Sequence, residues 1–166
     1  MKTAALSLLL LPLLVVGCSK SALEKVQRDG QPDIDMVKDD DREMNAAIAK
    51  ARQTLPAFVK ALQSPTTAMQ GFSVKAEFKD ANGSEHMWIA RPEWDGQNIV
   101  GVLANEPNWV KSVKLGDPVK IPGNQISDWM YVENGKLVGG HTERVLFARM
   151  SPAERAEVEK SGGFKL

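Results

Sequence analysis

Residues 126–144, ISDWMYVENGKLVGGHTER, hold the feature that most narrows the folds open to this chain: an Asn134-Gly135 dipeptide set between two apolar runs. A type I′ turn needs positive φ at both central residues, and Asn-Gly takes that geometry with little strain, so the runs are expected to fold back as an antiparallel hairpin. On one side Ile126, Asp128, Met130 and Val132 alternate with Ser127, Trp129 and Tyr131; on the other, Leu137-Val138 is a short return strand. Gly139-Gly140 then lets the chain leave the sheet through conformations closed to other residues. Strict alternation puts Asp128 on the face of Ile126 and Met130, which is expected to be buried. Either the carboxylate is satisfied there or the strand is bulged, because a buried carboxylate without donors costs several kcal/mol. The expectation is a structural acceptor for loop amides around Gly139-Gly140; the alternative is a place in a ligand cleft beside His86.

The rest of the chain reads as one α+β domain. Asp39-Asp40-Asp41 opens a helix, since carboxylates cap free amides and favour the positive end of the helix dipole. Met44, Ile48, Ala51, Leu55, Phe58 and Leu62 follow at helical spacing. Pro56 lies inside that stripe and is expected to kink the helix or start a second one. From Phe72 the period changes to two, with Phe72, Val74, Ala76 and Phe78 alternating with Ser73, Lys75, Glu77 and Lys79. A turn at Asn82-Gly83 would set Phe78 opposite Met87 and Ala76 opposite Ile89, leaving His86 and Trp88 on the polar face. Residues 99–104 are apolar on both faces and are expected to form a central, doubly covered strand. Val119-Lys120-Ile121 is a further strand, and residues 142–149 suit strand or helix equally. Ser151-Pro152-Ala153-Glu154 is a capping box that starts a short last helix, closed by Gly162-Gly163. The expected architecture is a helix kinked near Pro56, an antiparallel sheet of five or six strands, and a short C-terminal helix.

The amino terminus has a different character. Lys2 precedes the apolar run of residues 4–16, which is too short to span a bilayer and has the length of a signal-peptide core. Val15-Val16-Gly17-Cys18 resembles the bacterial lipobox, in which a small residue precedes a cysteine that is acylated and becomes the new N-terminus. Cys18 is the sole cysteine of the chain, so no internal disulfide is available. Ser19 after it resembles lipoproteins sorted to the outer membrane. The expected division is a signal peptide at 1–17, a polar tether at 18–38 with at most a short helix near residues 22–27, and the folded domain at 39–166. Removing residues 1–17 takes away Lys2 alone from a chain whose 21 basic and 21 acidic residues cancel. The mature charge near −1, with both signs interspersed, speaks against nucleic-acid binding.

The stretches Phe72-Ser73-Val74-Lys75, His86-Met87-Trp88, Asn105-Glu106-Pro107, Gly116-Asp117, Ile126-Ser127-Asp128-Trp129-Met130, Gly135-Lys136-Leu137-Val138-Gly139-Gly140, Thr142 and Met150-Ser151-Pro152 resemble the YegJ-like bacterial proteins, a family without an assigned function. The resemblance covers residues 72–164, more weakly the helix before them, and imports no activity. It departs from the family pattern at His141, where an aromatic residue is usual.

Candidate chemistry divides into two classes. His86 and His141, with Glu85, Glu106, Asp128 and Glu143, are acceptable zinc or manganese ligands but lack a recognised ligand spacing, so neither metal nor cofactor is expected. No serine elbow or other catalytic motif is present. A binding surface is better motivated, because Trp88, Trp94, Trp109 and Trp129 are large amphipathic rings of the kind that line binding sites. The candidate binding residues are therefore His86, Trp88, Glu106, Trp109, Asp128 and His141, with Cys18 as the lipidation site. The expected protein is a monomeric, lipid-anchored envelope module, facing the periplasm, that binds a protein or glycan partner; the alternative is a metal-dependent periplasmic hydrolase.

Overall fold

The computed structural model describes residues 40–166 in full and only the backbone of residues 24–28 and 31–36. The expected signal peptide, Cys18 and Ser19 lie outside the described residues. Within the stretch read as a tether, β1 (Glu24–Arg28) pairs antiparallel with β2 (Gln31–Met36) as a separate two-stranded sheet. Part of the short helix considered there is thus strand.

The helix α1 (Arg42–Gln63) starts where the acidic triplet places it: Asp41 is the N-cap, and its side chain accepts from Met44 N at 3.1 Å. The expected stripe is the buried face, with Met44, Ala51, Leu55 and Phe58 buried, Ala47 added, and Ile48 and Leu62 half-buried. Pro56 sits inside one continuous helix and starts no second one. Nor is the cap merely solvated, because Arg149 grips Asp41 through its two terminal guanidinium nitrogens at 2.5 and 2.9 Å. That bond holds the Asp41 carboxyl at a pKa of about 2, against the opposing effect of burial.

β3 (Met69–Asp80), β4 (Gly83–Trp94), β5 (Asn98–Leu103), β6 (Pro118–Pro122), β7 (Ile126–Glu133) and β8 (Lys136–Gly139) form an antiparallel sheet in the order β6-β5-β4-β3-β7-β8. The α1 helix packs on one face, against Val74, Ala76, Met87, Ile89, Ile126 and Trp129. Phe58 is the hub of this contact: its ring lies 5.3 Å from Trp129 and 5.8 Å from Phe72, and Trp129 Nε1 donates to Ala51 O at 2.9 Å. Each such fully buried ring or aliphatic chain contributes on the order of 1.5–3 kcal/mol.

Three strand expectations change. The β3–β4 turn is at residues 81–82, so Ala76 faces Met87 and Phe78 faces Glu85, two residues from the expected register. Asp80 causes this, since its Oδ1 accepts from Asn82 N at 2.7 Å and from Asn82 Nδ2 at 3.2 Å, closing the turn early. A slip of two preserves faces, so His86 and Trp88 stay opposite the core. Next, the strand of residues 99–104 is not central and not covered twice. It lies second from an edge, with Ile99 and Leu103 in the core and Val100 36% exposed.

Third, β7 does not alternate strictly: the bulge left open as an alternative is present. Lys75 pairs with Asp128 but Ala76 with Ile126, leaving Ser127 as an extra residue. The bulge brings Ile126, Trp129 and Tyr131 to the core side and sends Ser127 and Asp128 to the other.

The ambiguous segment is a helix, α2 (His141–Arg149), and α3 (Pro152–Gly162) follows with the expected capping box at Ser151 and a left-handed Gly163 at its end. The tail then returns to the β8 edge, where Leu137 N donates to Lys165 O at 2.7 Å.

Asn134 and Gly135 have φ of 51° and 75°, the expected hairpin turn. Gly139 has φ 74°, and a Cβ there would overlap the Trp129 carbonyl oxygen and ring, whereas one at Gly135 would meet nothing. Urea unfolding is therefore expected to show a loss of about 1–2 kcal/mol for Gly135→Ala, from backbone strain alone. Gly139→Ala is expected to lose about 3 kcal/mol or more, from strain and overpacking together.

Candidate functional site

The face of the sheet away from α1 carries the unusual chemistry. Lys75 stands on it in mid-sheet and is only 9% exposed. Its ammonium donates to Thr142 Oγ1 at 3.2 Å, forms an ion pair with Glu143 Oε1, and lies 4.6 Å from the centroid of the Trp88 ring. Lysine can only donate, so the Thr142 hydroxyl must point its own proton elsewhere. It does so, to Asp128 Oδ2 at 2.6 Å.

Asp128 is fully buried. Besides that hydroxyl it accepts from Thr142 N at 2.8 Å, His141 N at 3.0 Å and Trp129 N at 2.8 Å. The N-cap residue of α2, Gly140, offers no side chain, so a strand carboxylate supplies the cap. Asp128 is thus the structural acceptor expected just after Gly139-Gly140, and it leaves the candidate binding surface.

The other expected residues separate. His86 is exposed on the uncovered face, with Nδ1 2.9 Å from Ser127 Oγ. Ser127 is fully buried and also reaches Lys75 O at 3.2 Å, so it ties the bulge to β3. His141 lies on the α1 side, with Nε2 3.1 Å from Thr54 Oγ1 and its ring edge-on to Trp129. Burial pushes its pKa below the usual 6.5, against the attraction of Asp128. The two histidines therefore face opposite sides of the sheet.

Glu106 and Trp109 belong to the loop of residues 104–117, and both are exposed. Two carboxylates immobilise that loop. Glu85 accepts from the backbone N–H groups of Asn108, Trp109 and Val110 at 2.6–3.0 Å, and Asp80 from those of Lys111 and Ser112 at 2.6 and 2.9 Å. Burial raises the Glu85 pKa, but these amides outweigh it and the net shift is downward. Of the six residues weighed as metal ligands, Glu85 and Asp128 hold backbone amides, Glu143 holds Lys75, and the histidines are apart. Among the described residues no three or more His, Cys, Asp or Glu side chains are placed to hold a metal ion.

Lys75, Thr142 and Ser127 were not expected at the site, and Glu143 was weighed only as a metal ligand. Lys75 occupies a polar position of an alternating strand, which reads as solvated, and only the bulge and α2 bury it.

These features define a class: an antiparallel sheet with helix on one face, the other face bearing a lysine–glutamate ion pair under a tryptophan. The chain belongs to the YegJ-like bacterial family. Residues 41–166 match the family described as "Uncharacterized protein conserved in bacteria (DUF2314)". It is 33% identical to the uncharacterized protein YegJ of Escherichia coli strain K12 over 103 residues, 62% of this chain and 66% of YegJ. It is also 36% identical to a putative ankyrin repeat protein of Neisseria meningitidis serogroup B over 135 residues, 76% of this chain and 53% of that protein. The chain thus spans about half to two thirds of the length of these curated relatives. No solved structure matches it.

Asp128→Asn places an amide donor among hydrogen-bond donors and removes the charge. It is expected to cost about 1–3 kcal/mol in urea unfolding. His141 sets a pH dependence. Its folded-state pKa is lowered, so the unfolded chain binds the proton more readily; the associated stability is complete above about 6.5 and is lost as pH falls through the lower folded value. Thermal melts of wild type between pH 7.5 and 5 are expected to decline more steeply than those of His141→Gln.

Proposed function

We propose that this chain is a lipid-anchored module of the bacterial cell envelope that binds a protein or glycan partner on the uncovered face of its sheet. One observation carries the binding reading: Trp88 is half-exposed on a face where Ala90, Val102, Met130 and Val132 are also half-exposed. Large amphipathic rings amid apolar neighbours are typical anchors of recognition surfaces. A non-enzymatic role is supported by how the acids are used, since Asp80, Glu85 and Asp128 are each engaged with backbone amides. The lipobox-like residues 15–18 support an anchor at Cys18, and Ser19 favours the outer membrane, with the domain facing the periplasm. Several acyl chains at about 0.8 kcal/mol per buried methylene make such an anchor effectively permanent.

Two measurements test this. Cells fed a clickable palmitate analogue are expected to label the wild type and not Cys18→Ser; equal labelling of both would remove the anchor. A photo-crosslinking amino acid at Val102 is expected to capture a partner in intact cells, while one at the exposed Gln53 of α1 does not. Equal capture at both positions would remove the uncovered face as the binding surface.

A further inference from the structure

Both edges of the large sheet are closed to an added strand. β6 begins and ends with proline, at Pro118 and Pro122, and carries Lys120 between them, a composition that blunts edge pairing. At the other edge Leu137 N is taken by Lys165 O, and the carbonyls of Leu137 and Gly139 accept from the Arg144 guanidinium at 2.7 and 3.0 Å. An extended peptide therefore has no backbone ladder to join, and recognition falls to the face.

Trp88 is fixed on that face from two directions. Its backbone N–H donates to Asn105 Oδ1 at 2.5 Å, and the Lys75 ammonium lies against one side of its ring. The half-exposed indole thus has its other side to offer. Beneath it Lys75 is paired with Glu143, and Asp128, reached through Thr142, is met by three backbone N–H groups at the start of α2, so no cation is left unpaired in the cluster. An ammonium already on one side of the ring weakens its pull on a second cation, and two carboxylates against one ammonium give an anion no net attraction. What remains is a flat aromatic surface beside the half-buried Ala90, Val102 and Met130, with the polar Ser73 on the same face and Glu143 beneath. A saccharide matches it, having an apolar C–H face to stack, hydroxyls that donate and accept, and no charge. We propose that Trp88 is the stacking platform of a binding site for a neutral saccharide. This rests on the reading of the domain as a binding module and gives its face a ligand class.

The test uses the full chain with 5-fluorotryptophan incorporated, so that its four tryptophans report separately by fluorine NMR, with Trp88→Phe identifying the resonance of interest. Chitotetraose and maltotetraose are the neutral probes and tetragalacturonic acid the charged one. A neutral probe is expected to shift the Trp88 resonance and leave that of the buried Trp129 unmoved. Trp88→Ala should weaken binding by about tenfold or more. Trp88→Leu, which keeps apolar cover over the Lys75 stem, should show the same loss with an unchanged melting temperature, separating lost stacking from unfolding. A Trp88 resonance unmoved by both neutral probes at millimolar concentration, or tighter binding of tetragalacturonic acid, overturns the saccharide. A specific protein adduct at Val102 in cells with no saccharide response overturns it while leaving the binding face in place; neither adduct nor response removes both.

Discussion

The buried carboxylate of Asp128 is the contact on which the rest of the architecture leans. A lone ionised carboxylate in that position would cost several kcal/mol, and Asp128 avoids the cost by collecting three backbone N–H groups and a hydroxyl. In doing so it caps a helix whose own N-cap is a glycine, and it turns the Thr142 hydroxyl so that its oxygen faces Lys75. The β7 bulge, the start of α2 and the buried lysine are therefore one electrostatic arrangement. A change to any member leaves a charged or polar group without its partner.

The same device recurs at the other end of the sheet. Glu85 and Asp80 accept from the five consecutive backbone amides of residues 108–112. A loop outside the strands would otherwise hold those donors for water; here they are bound to the sheet, and Trp109 is presented from a fixed base. Asp80 also closes the β3–β4 turn, so one carboxylate sets both the register of the central hairpin and the course of the loop. In both regions acidic side chains that resemble catalytic or metal-binding candidates in the sequence serve as backbone acceptors.

Much of the fold was legible in the sequence because it depends on local rules. The stripe from Met44 to Phe58, the Asn134-Gly135 turn, the alternation of β3 and the Ser151 capping box each follow from periodicity or from conformations that few residues adopt. A register slip of two left the faces of His86 and Trp88 as expected, since strand faces repeat with that period. Beyond that slip, which a local Asp80–Asn82 contact causes, most of what failed depended on a distant partner. Residues 99–104 look doubly buried from composition, but whether a strand is covered on one side or two depends on how many layers the domain has. Residues 142–149 are ambiguous because their cap comes from a residue on another strand.

The site divides along the same line. Sequence alone determined that the chain carries a lipobox-like cysteine, one α+β domain of a known bacterial family, and a polar strand face bearing His86 and Trp88, because each is encoded within a few consecutive residues. Tertiary structure alone decided that His86 and His141 lie on opposite sides of the sheet, that Asp128 is held on the face away from α1, and that Lys75 is buried between Trp88, Thr142 and Glu143. One extra residue in β7 reverses the facing of the rest of that strand; Asp128 within an apolar run left a bulge open as one reading, but nothing local placed it at Ser127. Its stability comes from hydrogen bonds to Lys75, Thr142 and His141, residues that the fold alone brings together.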